Sequence, residues 1–269
     1  SKEFRDKVGA KLVVGGDSLK VKIRLKGDRP DHWDDEKKWS FRVEVKKGQA
    51  YNGMRVFNVQ KPKTRGNLDE WAFHELLDHH GLVNIRYYFV NLRMNGEDLG
   101  IYALEEFFDK RLIEDNKQRS GVVFKLSTAK YWYYKEGYDS QHKGSPIIPY
   151  KIGDKDTANP LFEQFRTAQQ MVKGAFNNQY RLEDVFDVPK LAKFMAVVDM
   201  TGHQHASALD NLKFYYNPIT SLIEPVGYDN SVIHNIRYAS VLHGRNIIGE
   251  RRLIVAPEQE LTASSNHWY

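Results

Sequence analysis

The chain has 269 residues, of which 41% are hydrophobic, 13% aromatic and 28% charged, a composition that excludes a disordered chain. It contains no cysteine, which excludes disulfides, thiolate catalysis and cysteine-ligated zinc. The net charge of +5 comes from basic residues scattered among 35 acidic ones, a pattern that disfavours a nucleic-acid binder and gives weak support for an anionic ligand.

Strand signals dominate the first part of the chain. Residues 20–26 alternate strictly between basic and apolar side chains, which predicts a half-buried strand. Residues 39–45 alternate again and predict a second strand paired with the first, and a short third strand follows over 55–59. The dipeptide Gly15-Gly16, upstream of these strands, is typical of a hairpin turn.

A helix and a second pair of strands come next. Asn67 with Glu70 three residues later matches a capping box and predicts the start of the helix, and Gly81 is typical of its end. Strands are predicted over 86–94 and 99–104, because an Asn-Gly turn lies between the two runs.

The remainder of the chain is predicted to be mostly helical. Helical spacing recurs in three segments, 107–116, 160–174 and 188–200. A hairpin is predicted from strands at 212–216 and 222–226, and 247–255 has helix or strand character. The segment 127–157 is loop-like and is interpreted as an insertion or lid.

This order of elements predicts an α+β fold. Strands, one helix and further strands precede a mostly helical half with one hairpin. That is the two-lobed layout of protein-kinase-like folds, with a mainly antiparallel N-lobe over 1–106 and a mostly helical C-lobe over 107–269. Other α+β folds share the same order, so the order alone is a weak argument.

Four strings in the same order resemble the CotH (spore coat protein H-like) family of atypical kinases. They are KWSFR at 38–42, EWAFHELL followed by GL at 70–82, NG followed by GIYALEE at 95–106, and NLKFYY followed by EPVGYD at 211–229. The resemblance implies an ATP- and Mg²⁺-dependent phosphotransferase, most simply a Ser/Thr kinase, that acts on a protein acceptor. It also implies an extracellular, cell-surface or spore-associated location.

The resemblance assigns the metal site to Asn211 and Asp229. A hairpin brings its two ends together, and in protein kinases the catalytic-loop Asn and the metal-binding Asp are related in this way. Both side chains supply the hard oxygen ligands that Mg²⁺ prefers. The alternative is that Asn211 caps a turn and Asp229 only begins a loop.

The cation for the phosphates has several candidates. The resemblance favours Lys38 and Arg42, which flank the family-like strand. Lys61 precedes the helix that carries Glu75, and a strand lysine followed by a helix glutamate is the kinase order for the ion pair that fixes the lysine. Arg65 is a further option. The alternative is that all of these basic side chains are solvated surface charges.

Glu105 and Glu106 end the last strand before the helical half, where a kinase holds adenine. Adjacent residues of a strand point to opposite sides, so the two carboxylates cannot face one substrate as an acid–base pair. Glu105 is therefore predicted to have a structural or ribose-contacting role.

The group that orients the acceptor hydroxyl is the weak point of the kinase hypothesis. Protein kinases place an Asp five residues before the metal-binding Asn, and here that position is Ala206, preceded by His205. His205 is the candidate base, because histidine titrates near neutral pH. Zinc binding by His203 and His205 is the alternative, but a zinc site needs a third or fourth ligand.

Two further classes of function stay open. One is different chemistry on the same fold, such as nucleotidyl transfer or ATP-driven ligation. The other is a non-catalytic pseudokinase or surface-binding module, for which the aromatic run at 131–134 would be the contact surface. No run of about 18 apolar residues occurs, so no membrane span is predicted.

Overall fold

The structure is a computed structural model that describes residues 6–27, 29–127, 146–152, 158–202, 205–208 and 211–230. Outside these ranges lie the aromatic run at 131–134, most of the interpreted insertion, His203 and the element at 247–255. The fold is α+β, as predicted, and its strands are mostly antiparallel. None of the described helices is long and apolar enough to cross a bilayer.

The described residues of the first half of the chain form seven strands and one α-helix. They are β1 (Val8–Val14), β2 (Asp17–Leu25), β3 (Phe41–Val45), β4 (Val56–Gln60), α1 (Asp69–His79), β5 (Val83–Asn84), β6 (Tyr87–Met94) and β7 (Glu97–Glu106). Six of the strands make one antiparallel sheet in the order β1-β2-β3-β4-β7-β6. The predicted strands at 20–26, 39–45, 55–59, 86–94 and 99–104 are thereby confirmed, and Gly15-Gly16 forms the predicted turn, between β1 and β2.

The six-stranded sheet has one apolar and one polar face, because side chains alternate along each strand. Its apolar face carries Phe41, Phe57 and Tyr102, which are buried in one hydrophobic cluster. The opposite face carries polar side chains that are buried as well, among them Lys26, Asn58, Gln60 and Glu105. Buried polar groups need hydrogen-bond partners to offset their lost hydration. A cluster of them on one face of the sheet therefore marks a candidate functional site.

Helix α1 is confirmed, but its predicted start is wrong. Asn67 adopts a left-handed conformation with φ of +61° and does not cap the helix, whose N-cap is Leu68. Glu70 makes no capping box and instead accepts hydrogen bonds from the backbone N–H of Asn230, at 3.2 and 3.0 Å. Gly81 follows the helix with φ of +67°, as predicted for its end.

The described residues of the second half of the chain form four α-helices and four strands. They are α2 (Lys110–Asp115), β8 (Val123–Leu126), β9 (Ile147–Pro149), α3 (Phe162–Phe176), α4 (Leu182–Val185), α5 (Val188–Met200), β10 (Lys213–Asn217) and β11 (Leu222–Gly227). The predicted helices at 107–116, 160–174 and 188–200 and the predicted hairpin are present. The short strands β5, β8 and β9 were not predicted, and they join the hairpin in a five-stranded sheet of order β5-β11-β10-β8-β9.

The parallel pairing of β5 with β11 positions the end of the hairpin. Because β5 follows α1 closely, this pairing brings the segment after β11 beside α1. At Gly227 a Cβ atom would lie 2.1 Å from Leu77 Cδ1 of α1, so any larger residue would displace this buried side chain. Residues 228–230 therefore run directly beneath the polar face of the first sheet.

Candidate functional site

Four charged side chains form a continuous row from the polar face of the first sheet to the segment after β11. Lys26, Glu105 and Arg65 are buried, and Asp229 is half-buried. Lys26 Nζ lies 3.2 Å from Glu105 Oε1, and Arg65 Nε lies 3.5 Å from Glu105 Oε2. Arg65 Nη1 in turn lies 2.8 Å from Asp229 Oδ1. The charges alternate in sign along the row, so each buried cation is compensated by a neighbouring carboxylate.

Glu105 lies in the middle of this row, and its carboxylate accepts two hydrogen bonds in addition to its two ion pairs. Asn58 Nδ2 donates to Oε1 at 2.7 Å and Gln60 Nε2 donates to Oε2 at 2.9 Å. Burial alone would raise the pKa of Glu105, but the positive charges of Lys26 and Arg65 outweigh it and lower that pKa to about 2. Glu105 is therefore a permanent anion that orders two cations rather than a proton donor.

The two cations respond differently to the same surroundings. Burial lowers the pKa of Lys26 to about 8, although Glu105 raises it in part. Burial also disfavours the charged form of Arg65, but Asp229 and Glu105 together raise the pKa of Arg65 above its usual value. Lys26 therefore stays mostly protonated at neutral pH but loses its proton more readily than an exposed lysine, whereas Arg65 stays charged.

Asp229, Asn211 and His205 meet at the lower end of the row. Asn211 Nδ2 donates to the backbone oxygens of Asp229, at 2.8 Å, and of His205, at 3.1 Å. His205 Nε2 lies 3.7 Å from Asp229 Oδ2. Lys213 Nζ donates to the backbone oxygen of Asn211 at 2.6 Å. One amide side chain thus ties together both segments that carry the candidate catalytic groups.

The backbone of Asp229 is itself unusual. Its φ of +54° lies in the left-handed region, which costs a residue with a Cβ atom free energy and which recurs at functional sites. The conformation is held from both sides, because Asn211 binds the Asp229 carbonyl and Glu70 binds the next backbone N–H, that of Asn230. The surrounding structure therefore fixes the direction of this carboxylate.

His32 closes the opposite end of the row and is buried as a neutral ring. Its Nδ1 lies 3.0 Å from Ser40 Oγ. The ring packs on Gly27, which has φ of +100°, and a Cβ atom there would lie 2.1 Å from the imidazole. Burial, together with the charges of Lys26 and Arg65, lowers the pKa of His32 to about 3.

Lowering the pH is therefore expected to destabilise the protein through His32. Between the unfolded-state pKa of 6.5 and the folded-state pKa of about 3, the unfolded chain binds a proton at His32 that the folded chain does not. The free energy of unfolding should then fall as the pH falls, by about 2 kcal/mol from pH 6.5 to pH 5. Urea unfolding across this range measures the slope, and His32→Gln should remove it. An unchanged slope in the variant would contradict the assignment.

Aromatic side chains line the next part of the cleft. The guanidinium of Arg42 stacks on the ring of Phe107 at 3.9 Å and donates from Nε to Asn58 Oδ1 at 3.0 Å. Phe108 contacts the rings of Tyr150, at 4.5 Å, and Tyr228, at 5.0 Å. Tyr150 also lines a cavity of about 410 Å³, together with Glu44, Val56, Arg111 and Lys151.

The profile of the CotH kinase protein family matches residues 23–233. The chain belongs to this family. The match begins within β2 and leaves out β1, but it covers the other strands of both sheets, the row of charges and the segment with Asn211 and Asp229. Comparison with curated proteins gives no significant match.

Several of the residues that the CotH resemblance singled out lie together. His205, Asn211 and Asp229 form the cluster described above, and Glu105 is connected to it through Arg65. Arg42 lies beside them, since it binds Asn58, which binds Glu105. Glu105 and Glu106 do point to opposite faces, and Glu106 pairs with Arg86 at 2.5 Å.

Other candidates lie apart from this cluster of the CotH domain. Lys38 Nζ is 5.5 Å from the ring centre of Tyr102, a residue of the apolar face. Lys61 pairs with Asp34 at 2.6 Å, while Glu75 is exposed on α1, so the expected ion pair between Lys61 and Glu75 does not form. The roles of Lys38, Lys61 and Glu75 in ligand binding stay predictions.

The sequence analysis did not identify Lys26 as a buried cation of this CotH domain. The alternation of residues 20–26 places Lys26 on the polar face of a half-buried strand, and Arg65 is only one of several candidates for the phosphate-binding cation. The available signal was that every polar residue of 20–26 is basic, which is unusual for a solvated face. Asn58 and Gln60 gave no signal, because a short strand with polar residues is common.

The donor set fits Mg²⁺ only if the nucleotide supplies further ligands. Within the described ranges no group of three or more His, Asp or Glu side chains is arranged to hold a metal ion. Asn211 and Asp229 offer two oxygen-bearing side chains, and Asp229 Oδ1 is buried and accepts no hydrogen bond although Arg65 lies beside it. Mg²⁺ commonly takes one or two protein ligands and completes its shell with phosphates and water, so the pair suits it.

Proposed function

We propose that this CotH kinase domain transfers the terminal phosphoryl group of ATP, with Mg²⁺, to a hydroxyl group of a protein acceptor. The observation that carries the proposal is the convergence of His205, Asn211 and Asp229 on the end of the buried charge row. Phosphoryl transfer requires mainly positioning and neutralisation of charge, and this arrangement offers both. Family membership further supports the kinase-like chemistry and a spore-associated or extracellular location.

Each residue of the cluster has a distinct role in this proposal. Asn211 and Asp229 bind the metal ion, which neutralises the phosphate oxygens. Lys26, fixed by Glu105, contacts the phosphates as the strand lysine of a kinase does, and in this role it replaces Lys61 paired with Glu75. An oxygen–phosphorus bond forms to the acceptor hydroxyl while the bond to ADP breaks, and His205 accepts the hydroxyl proton.

The cavity lined by Tyr150 is the proposed site of the nucleoside. Its volume of about 410 Å³ is in the usual range for small-molecule sites. Val56 of its lining lies two residues from Asn58 on the same face of β4, about 7 Å along the strand. From there a triphosphate reaches past Arg42 to the charge row.

Nucleotidyl transfer is the second candidate. Protein kinases have an Asp that orients the acceptor hydroxyl five residues before the metal-binding Asn, and this chain lacks it. That position is Ala206, which is 1% exposed and has no group to orient a hydroxyl. Mass spectrometry of the modified acceptor separates the two reactions. A phosphate adduct supports the kinase proposal, whereas a nucleotide adduct supports the second candidate.

Binding of ATP and Mg²⁺ should stabilise the folded protein. A ligand that binds only the folded state raises its stability by about 2.7 kcal/mol at a hundredfold excess over Kd. We expect a metal-dependent rise in melting temperature that Asp229→Ala abolishes and that Asp78→Ala, an exposed carboxylate of α1, leaves intact. An unchanged melting temperature of the native protein in saturating ATP and Mg²⁺ would support a non-catalytic module instead.

A further inference from the structure

From Lys20 onward the polar face of β2 carries only basic side chains, and it leads into the proposed active site. Lys20, Lys22, Arg24 and Lys26 all point to this face, because they alternate with the apolar residues of the strand. Lys20 and Lys22 are exposed, Arg24 is half-buried and Lys26 is 6% exposed. The strand is thus a line of positive charge that runs from solvent to the buried row.

At its outer end this line opens into a shallow concavity of about 700 Å³. Five lysines line it: Lys11, Lys20, Lys22, Lys46 and Lys47. Its one lining carboxylate, Glu44, is already paired with Lys7 at 2.9 Å. In the part of the chain that the structure describes, no carboxylate lies within ion-pair distance of the five lysine amines. With five lysines and one carboxylate, Glu44, which stands opposite Lys22 in the sheet, the surface carries a net positive charge.

The same surface borders an open edge of the sheet. Strand β1 is the outermost strand, and among the described strands only β2 pairs with it. It is also partly apolar, since Val8 is 62% and Val13 is 65% exposed. The unpaired backbone groups of such an edge can bind a further extended strand.

From these two features we propose that the concavity beside β1 docks an extended, acidic segment of the protein acceptor. Charge complementarity to five lysines selects acidic side chains, and the open backbone edge selects a polypeptide over a nucleic acid or a lipid surface. Lys22 and Lys26 are four residues apart on one strand, about 13 Å. A short acidic segment docked here thus holds a nearby hydroxyl residue within reach of the site. This inference rests on the proposed function and names the chemistry of its acceptor.

The test uses a fluorescent ten-residue peptide of alternating Glu and Val, with binding followed by anisotropy in low salt and without nucleotide. We expect the peptide to bind, and a peptide with Gln in place of every Glu not to. The triple variant Lys20→Gln/Lys22→Gln/Lys46→Gln should bind the acidic peptide about tenfold more weakly. The matched control Lys117→Gln/Lys173→Gln/Lys193→Gln, which changes three exposed lysines elsewhere, should bind it normally.

Methylation of alternate backbone nitrogens of the peptide distinguishes strand addition from attraction of charge alone. It should also weaken binding about tenfold, because the methyl groups block pairing with β1. Equal binding of the Glu and Gln peptides, or full affinity of the first triple variant, would overturn the proposal. So would full affinity of the methylated peptide, or lysine-dependent binding of duplex DNA or phosphatidylserine vesicles without binding of the peptide.

The stabilisation by ATP is measured on the same variants. If the native protein does not bind the acidic peptide but ATP and Mg²⁺ still raise its melting temperature, only the docking proposal fails. If the peptide binds but ATP and Mg²⁺ do not raise the melting temperature, the proposed function fails and the peptide-binding surface remains. The two proposals therefore fail in distinguishable ways.

Discussion

Replacing Glu105 by alanine is expected to lower the free energy of unfolding by about 3–5 kcal/mol, because the change leaves buried cations without their partner. Lys26 loses its ion pair at 3.2 Å, and Asn58 and Gln60 lose the acceptor of their hydrogen bonds. Arg65 keeps Asp229, so the loss falls mainly on Lys26. Urea unfolding of the native protein and of the variant measures the difference.

The matched control is Glu97, whose ion pair with Lys37 is exposed on both sides. Glu97→Ala should change the stability by less than about 1 kcal/mol, because exposed ion pairs contribute little. The double variant Lys26→Met/Glu105→Leu removes both charges and should be more stable than Glu105→Ala alone. A loss below 1 kcal/mol for Glu105→Ala would show that water reaches Lys26 and that the row is not a buried network.

Local patterns in the sequence predicted most of the longer elements and the proximity of Asn211 and Asp229. Strict alternation identified β2 and β3, and helical spacing identified α1 and α5, since both signals depend only on near neighbours. The hairpin of β10 and β11 brought Asn211 and Asp229 together as expected, because a tight turn fixes the distance between its ends.

The rest of the site depends on contacts between distant parts of the chain. Glu105 meets Asn58 across 47 residues, and Glu70 meets Asn230 across 160. An alternating strand does not reveal whether its polar face is wet or covered by another sheet, so Lys26 resembled an exposed lysine. The capping box at Glu70 failed for the same reason, because a long-range partner replaced the local one.

Sheet register also changes how the charge of the chain is interpreted. Along the sequence the basic residues are dispersed, a pattern that disfavours a nucleic-acid binder. In the sheet Lys11 stands opposite Lys20 and Arg24 stands opposite Arg42. Pairing of neighbouring strands thus concentrates positive charge on one face, and this concentration is the basis of the proposed acceptor site.

Replacing Asp229 by asparagine is expected to slow phosphoryl transfer to a protein acceptor by at least about a thousandfold. The proposed metal ion contributes several kcal/mol of charge stabilisation, and it loses its one carboxylate ligand in this variant. Asparagine has nearly the same shape, and the backbone oxygen at this position still accepts the hydrogen bond from Asn211. The rate loss should therefore appear in a protein that stays folded, as circular dichroism checks.

Two further variants separate metal binding from proton transfer. His205→Gln removes the proposed base and should slow the reaction by about 10²–10⁴-fold while the ATP- and Mg²⁺-dependent stabilisation persists. Asp229→Asn should lose both the rate and the stabilisation. The exposed control Asp78→Asn should lose neither. An Asp229→Asn variant that transfers phosphate at the native rate would remove the metal site from this end of the charge row, and with it the reason for the left-handed backbone at Asp229.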